Sequence, residues 1–317
     1  MTGLRHPRTM AILVLCLAVL SSAGFAVARE RSHTDDRRDG PTIGILGASV
    51  SAGFGMFLGG TEDDGPGMVG VRLADVVSAA APPGAVVSDW STWLFFRNPV
   101  TIGPQAVERL AERSPDVVLA IDFLFWFAYG ATDLEGAPIV EERQRHALFE
   151  RGLELLETFE APMVVGDLPD MRGADPRMLA ERQIPDPPTL ARLNARLRQW
   201  AATRESVALL PLETIRRTQL AAAPEVVKRR LQSDRLHPTF EGLVAILAAA
   251  APTLEMLRVV VPSMLDSDEP HLVAERLAER ILDADAPRDG PPETDDGTTT
   301  PPIAEAEPNV PVGSSAP

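Results

Sequence analysis

Residues 42–55 read T-I-G-I-L-G-A-S-V-S-A-G-F-G, from Thr42 to Gly55. The run from Thr42 to Leu46 is short and apolar, which suits a strand buried on both faces of a parallel sheet. It passes directly into glycines, alanines and serines, which let the backbone turn tightly and leave a hydroxyl exposed. Ser49 is the candidate nucleophile on this reading. In an open α/β sheet, ligands bind beyond the carboxyl ends of the strands, and that is where this turn falls.

Outward from this stretch the same grammar repeats. Further strands are expected at Ala85 to Val87, Asp116 to Ile121, Pro162 to Gly166 and Val207 to Leu210. Between them, apolar residues three or four apart predict helices over Val69 to Ala80, Gln105 to Glu112, Ile139 to Phe159, Thr189 to Arg204 and Leu212 to Leu231, with a last one from Phe240 to Leu257. Strands alternating with helices predict the α/β class: a single three-layer α/β/α domain around a five-stranded, mainly parallel sheet, flavodoxin-like in kind.

A serine hydroxyl is a weak nucleophile until a base accepts its proton, so Ser49 needs a histidine that a carboxylate can orient. In Ser233-Asp234-Arg235-Leu236-His237-Pro238-Thr239, Asp234 stands three residues before His237, and Pro238 stiffens the loop. One turn can therefore orient base and acid together. The other histidines lack such company. His6 lies in the N-terminal segment, His33 in a charged tether, His146 among charges in mid-helix and His271 near the start of a late amphipathic helix.

With G-A-S-V-S-A-G after a first strand and D-R-L-H-P near the far end, the chain resembles the SGNH, or GDSL, hydrolase superfamily, over the whole body and in the right order. The resemblance implies that Ser49 attacks an ester carbonyl while His237 acts as general base and Asp234 orients it. It also implies an aspartate between the first glycine and the serine, where this chain has Ala48. The family's oxyanion donors are the serine N–H, a glycine of a second block and an asparagine of a third. Here Asp122 stands at the asparagine's place, after Val117 to Ile121, and no glycine follows Val87 before Gly103. Asp122, Ser91 and Thr92 are therefore the oxyanion or substrate-lining candidates. An ionised carboxylate cannot donate a hydrogen bond, so an Asp122 facing the oxyanion predicts that Asp122→Asn raises turnover.

Two aromatic clusters follow the second and third strands: Trp90, Trp93, Phe95 and Phe96, then Phe123, Phe125, Trp126, Phe127 and Tyr129. They read either as core or as the wall of a cleft. Arg97, Asn98 and Asp133 read as loop surface or as substrate-orienting groups, and Asp167 and Asp170 as a solvated turn or a cleft edge.

The chain of 317 residues is 45% hydrophobic, enough for a sizeable core, and its net charge of -15 opposes binding to phosphate backbones or anionic membranes. Arg5 and Arg8, an apolar run from Met10 and the ending Ala26-Val27-Ala28 have the order of a secretory signal over residues 1–28. An uncleaved membrane anchor is the alternative; otherwise the chain is expected to be exported, periplasmic or extracellular, with no membrane span after cleavage. The single cysteine, Cys16, lies inside that run, so the mature chain has no disulfide and no cysteine nucleophile. Residues 29–40 read as a flexible tether, 41–283 as the folded domain, and 284–317, rich in proline and acid, as a disordered tail. No metal-ligand spacing or phosphate loop is present, so no cofactor is expected.

Two functions follow. One is an exported esterase, lipase or deacetylase acting on a small-molecule, glycan or lipid ester. The other is a catalytically impaired relative that binds or assembles in the cell envelope.

Overall fold

The computed structural model describes residues 40–58, 68–252, 254–265 and 269–285. The expected signal, almost all of the tether and the tail beyond Asp285 lie outside the described residues.

Five strands form the central sheet: β1 (Thr42–Gly47), β4 (Val86–Ser91), β5 (Val117–Ala120), β6 (Met163–Gly166) and β7 (Val207–Leu210). Their order is β4-β1-β5-β6-β7, with every neighbour parallel. The chain starts at β1, winds outward to β4 on one side and then through β5, β6 and β7 on the other. This is the flavodoxin-like order, and its switch point lies between β1 and β5. Phe57–Leu58 (β2) and Val69–Gly70 (β3) form a separate antiparallel pair.

Alternation along the strands sorts the core into two layers. Ile43 and Ile45 of β1, Val117 and Leu119 of β5 and Val164 of β6 face one layer, covered by α1 (Leu73–Ala80), α8 (Phe240–Ala250), α9 (Glu255–Val260) and α10 (Pro270–Asp285). Leu46, Val118, Ala120, Met163 and Val165 face the other, covered by α2 (Pro99–Ala111), α3 (Phe125–Tyr129), α4 (Glu142–Leu156) and α5 (Pro187–Ala202). The three-layer α/β/α architecture expected from the alternation of strands and helices is the one observed. A fully buried Leu or Ile contributes about 1.5–3 kcal/mol, so these two layers dominate the fold's stability.

Several boundaries differ from expectation, each for a local reason. The second strand runs on to Ser91 because β1 pairs with it as far as Gly47↔Ser91. The helix expected from Val69 starts at Leu73, since Val69 and Gly70 belong to β3 and Asp75 caps Arg72 N–H at 2.7 Å. The helix expected from Gln105 starts at Pro99, where the Asn98 side chain accepts from Thr101 N–H at 3.1 Å. The long helix expected from Leu212 divides into α6 (Leu212–Leu220) and α7 (Pro224–Arg230), because Pro224 lacks the N–H needed to continue a helix. In the same way Pro252 follows the end of α8. At the other end, α10 continues to Asp285, just into the stretch expected to be tail.

Candidate active site

After β1 the chain folds into successive tight turns: Ala52 N–H donates to Ala48 O at 2.9 Å, Phe54 N–H to Ser49 O at 2.9 Å and Gly53 N–H to Val50 O at 3.2 Å. Gly53 adopts φ 76°, and a Cβ there would stand 2.0 Å from Val71 O, so only glycine fits. These turns hold Ser49 at the carboxyl end of β1, half-buried.

The turn after α7 delivers the other two groups. Asp234 Oδ1 accepts from Leu236 N–H at 2.9 Å and His237 N–H at 3.0 Å, which turns the carboxylate toward the ring. Arg235 takes the left-handed φ of 55° that this turn requires. His237 Nδ1 then lies 2.7 Å from Asp234 Oδ2, and its Nε2 lies 2.9 Å from Ser49 Oγ. With the proton on Nδ1 held by Asp234, Nε2 is free to accept from the serine hydroxyl. The structure therefore brings Ser49, His237 and Asp234 together. Burial by itself pushes the Asp234 carboxyl up, but the hydrogen bonds from the His237 ring, His237 N–H and Leu236 N–H together outweigh it and hold the group below its ordinary value. His237 is 3% exposed, and the Phe54 ring covers it at 4.7 Å.

Residues not singled out from sequence complete the arrangement. Gln232 Nε2 donates to Phe54 O and to Pro238 O, each at 2.8 Å, stitching the histidine turn to the serine turn. Arg216, buried, donates to Asp170 O at 3.0 Å and Arg235 O at 2.7 Å, and Asp175 N–H donates to Asp234 O at 2.8 Å. Nothing in the local sequence marks Gln232 or Arg216, because Phe54, the partner of one, and Asp170 and Arg235, the partners of the other, lie on other segments.

Of the three oxyanion or substrate-lining candidates, Asp122 borders the space beside Ser49 but offers no donor there, and Ser91 and Thr92 lie away from it. The Asp122 side chain is buried and faces the serine turn, accepting from Ala48 N–H at 3.0 Å, Val50 N–H at 2.8 Å, Ser51 N–H at 3.3 Å and Ser51 Oγ–H at 2.5 Å. Burial raises its pKa above the ordinary value, against those four bonds, of which the Ser51 hydroxyl counts most. Its oxygens are occupied, so it is not standing in for a donor amide. The expectation for Ser91 is also corrected: its hydroxyl donates to Asp89 Oδ1 at 2.6 Å and accepts from Arg72 Nη2 at 3.1 Å. Arg72 is itself ion-paired to Asp89 at 2.8 Å, so this cluster is self-contained. Thr92 N–H donates to Gly47 O at 3.1 Å, and its hydroxyl accepts from Leu94 N–H at 3.2 Å, capping the 3-10 turn Trp93–Arg97. Neither Ser91 nor Thr92 borders the cavity beside Ser49.

That cavity measures about 50 Å³ and is bordered by Ser49, His237, Asp122 and Asp167, with Phe125 and Leu236 among its apolar walls. A second, of about 70 Å³, adjoins it and shares Val50, Ile121, Leu212 and Leu236. The aromatic clusters divide between roles. Phe95, Phe123, Phe127 and Tyr129 are fully buried, Phe125 walls the cavity, and Trp93 and Phe96 are 50% and 46% exposed. Asp167 borders the cavity while its Oδ1 accepts from Glu213 N–H at 2.7 Å at the start of α6, and burial raises its pKa. Asp170 pairs with Arg172, and Asp133 is buried, capping its own turn and accepting from Gln144 at 2.6 Å. Asn98 caps α2 and Arg97 is exposed. Among the described residues no group of three His, Cys, Asp or Glu side chains is placed to hold a metal ion, and no helix is long and apolar enough to cross a membrane.

No protein-family model and no curated protein matches the chain. Solved structures similar to it include TesA, at 16% identity over 68% of this chain and 99% of that one with a TM-score of 0.40. A catalytic mutant of Axe2, an acetylxylan esterase from Geobacillus stearothermophilus, is 17% identical over 70% of this chain and 94% of its own, TM-score 0.44. The psychrotrophic esterase EstA from Pseudoalteromonas sp. is 16% identical over 77% and 98%, TM-score 0.36. At this level the likenesses add nothing to the side-chain geometry above, from which the chemistry has to be argued.

Proposed function

We propose that the chain is an exported serine hydrolase that cleaves a short-chain acyl ester through a covalent intermediate on Ser49. The observation that carries this reading is the continuous relay from Asp234 Oδ2 through both nitrogens of His237 to Ser49 Oγ, at 2.7 and 2.9 Å. As Ser49 Oγ bonds to the ester carbonyl carbon, its proton passes to His237 Nε2, and Asp234 stabilises the imidazolium. The carbonyl π electrons move onto oxygen. Collapse of that oxyanion breaks the bond to the alcohol, which leaves with the proton from Nε2. Water then repeats the sequence against the acyl-serine, releasing the acid and restoring Ser49.

The cavity beside Ser49 supports a small acyl group. At about 50 Å³ it has room for on the order of four water-sized groups, and its walls include Val50, Ile121, Phe125 and Leu236. Export is part of the proposal through the Arg5/Arg8 and apolar order of the N-terminal sequence.

A fluorophosphonate probe tests the reading: it labels the wild type, does not label Ser49→Ala, and labels His237→Ala slower by ~10²–10⁴. Labelling that survives Ser49→Ala removes the serine from the proposal. A wild type that neither labels nor turns over acetyl and butyryl esters leaves the fold as a binding or envelope-assembly module.

A further inference from the structure

We propose that Asp122 is the positioning residue of the nucleophile turn, a brace delivered from β5 that holds the chain on both sides of Ser49. Parallel pairing of β1 with β5 aligns Ile45 with Leu119, and continuing that register brings residue 122 level with residue 48. Position 48 is a fully buried alanine and has no polar side chain with which to brace its own turn. The carboxylate of Asp122 fills that part. Oδ1 takes Ala48 N–H and the Ser51 hydroxyl, and Oδ2 takes Val50 N–H and Ser51 N–H. The grip covers residues 48, 50 and 51 and omits only the N–H of Ser49. Fixing both flanks sets where Ser49 Oγ stands relative to His237 Nε2.

A second observation shows that the turn is built around this contact. A Cβ on Gly47 would stand 2.2 Å from Ser51 Oγ and 2.3 Å from Asp122 Oδ1. The first glycine of G-A-S-V-S therefore makes room for the Asp122–Ser51 pair, and any side chain there would push the two apart. Four donors converging on two oxygens also require a group that only accepts, which the carboxylate is once ionised, above its raised pKa, and an amide is not at any pH. An asparagine would turn its NH₂ toward backbone N–H groups on one side. Substitution of Asp122 by its near-isostere thus loosens the turn, the reverse of what an oxyanion-facing residue would do.

The inference rests on the reading of Ser49 as nucleophile for its catalytic consequence, but the brace itself has an independent readout. In Asp122→Asn we expect kcat on a short ester to fall ~10–100-fold with KM within about twofold, fluorophosphonate labelling to slow in parallel, and amide exchange at residues 48, 50 and 51 to rise at least about tenfold. Ser51→Ala, which removes one donor, moves the same quantities in the same direction by less. Turnover in Asp122→Asn equal to or above wild type with unchanged exchange overturns the proposal. If Asp122→Asn does not fold, Ser51→Ala decides: undiminished kcat and unchanged exchange sink the brace. A wild type unlabelled at Ser49 defeats the esterase reading alone, and the exchange rates still judge Asp122.

Discussion

Gln232 Nε2 donates to the backbone oxygen of Phe54 at 2.8 Å, across 178 positions of sequence. The same amide group reaches Pro238 O, and Gln232 N–H donates to His237 O at 2.9 Å. One side chain thus sets the distance between the turn carrying Ser49 and the turn carrying His237. Replacing Gln232 with Ala should cost about 1 kcal/mol in stability, from two part-buried carbonyls that lose this donor, and lower kcat about tenfold while KM changes little. Urea denaturation and steady-state kinetics on the same preparation check both. An unchanged kcat would mean that the two turns hold their spacing without it.

Asp234 and Asp122 should show opposite pH behaviour. The folded-state pKa of Asp234 is depressed, so its contribution to stability is present above the ordinary carboxylate value of 3.8 and is lost as pH falls through the folded value. That of Asp122 is raised by burial, so the native state binds the proton more tightly than the unfolded chain, and stability falls as pH rises from 3.8 through the folded value. Measured between pH 3 and pH 7 by chemical denaturation, the advantage of wild type over Asp234→Asn should grow with rising pH, while its margin relative to Asp122→Asn should decline. Parallel slopes for the two variants would contradict the assignment. Asp234→Asn should also reduce kcat by ~10³–10⁴, since an amide no longer holds the Nδ1 proton in place.

Gly53→Ala should be among the most damaging single-methyl additions in the protein. The residue sits at φ 76°, where an L side chain costs about 1–2 kcal/mol, and the added methyl meets Val71 O at 2.0 Å. A loss of more than about 2 kcal/mol is expected by thermal or urea unfolding. A variant as stable as wild type would show that the serine turn has another conformation open to it.

Phe125 walls the cavity beside Ser49 and stacks on Tyr129 with ring centroids 4.3 Å apart. Truncation to Ala should lengthen the acyl space and move the ratio of kcat/KM for hexanoyl over acetyl esters upward by about tenfold, the scale of one or two methylenes accommodated. Tyr129, whose hydroxyl donates to Pro169 O at 2.5 Å, keeps the neighbouring segment in place. A ratio that does not move would place the acyl group elsewhere.

Much of this was legible in sequence. The short apolar run from Thr42 to Leu46, buried along its whole length, is a property of the strand itself, and Asp234 and His237 are near enough in the chain for one turn to join them. The turn after β1 announced itself through small residues. What was illegible depended on neighbours. Asp122 looked like an electrostatic fault only because sequence aligns it with a donor position; the register of β5 against β1 points it at four N–H and O–H groups instead. Ser91 looked available until Arg72, distant in sequence but adjacent in space, was seen to hold it together with Asp89.

The sequence by itself determined the alternation of strands and helices and the chemical types of the relay, because periodicity and turn chemistry act over a few residues. Only the tertiary structure decided that Nε2 and Oγ meet across 188 positions, that Gln232 ties their turns, and that Asp122 braces rather than opposes. A hydrogen bond has a direction and a reach of about 3 Å, and which groups come within that reach is set by packing between distant segments.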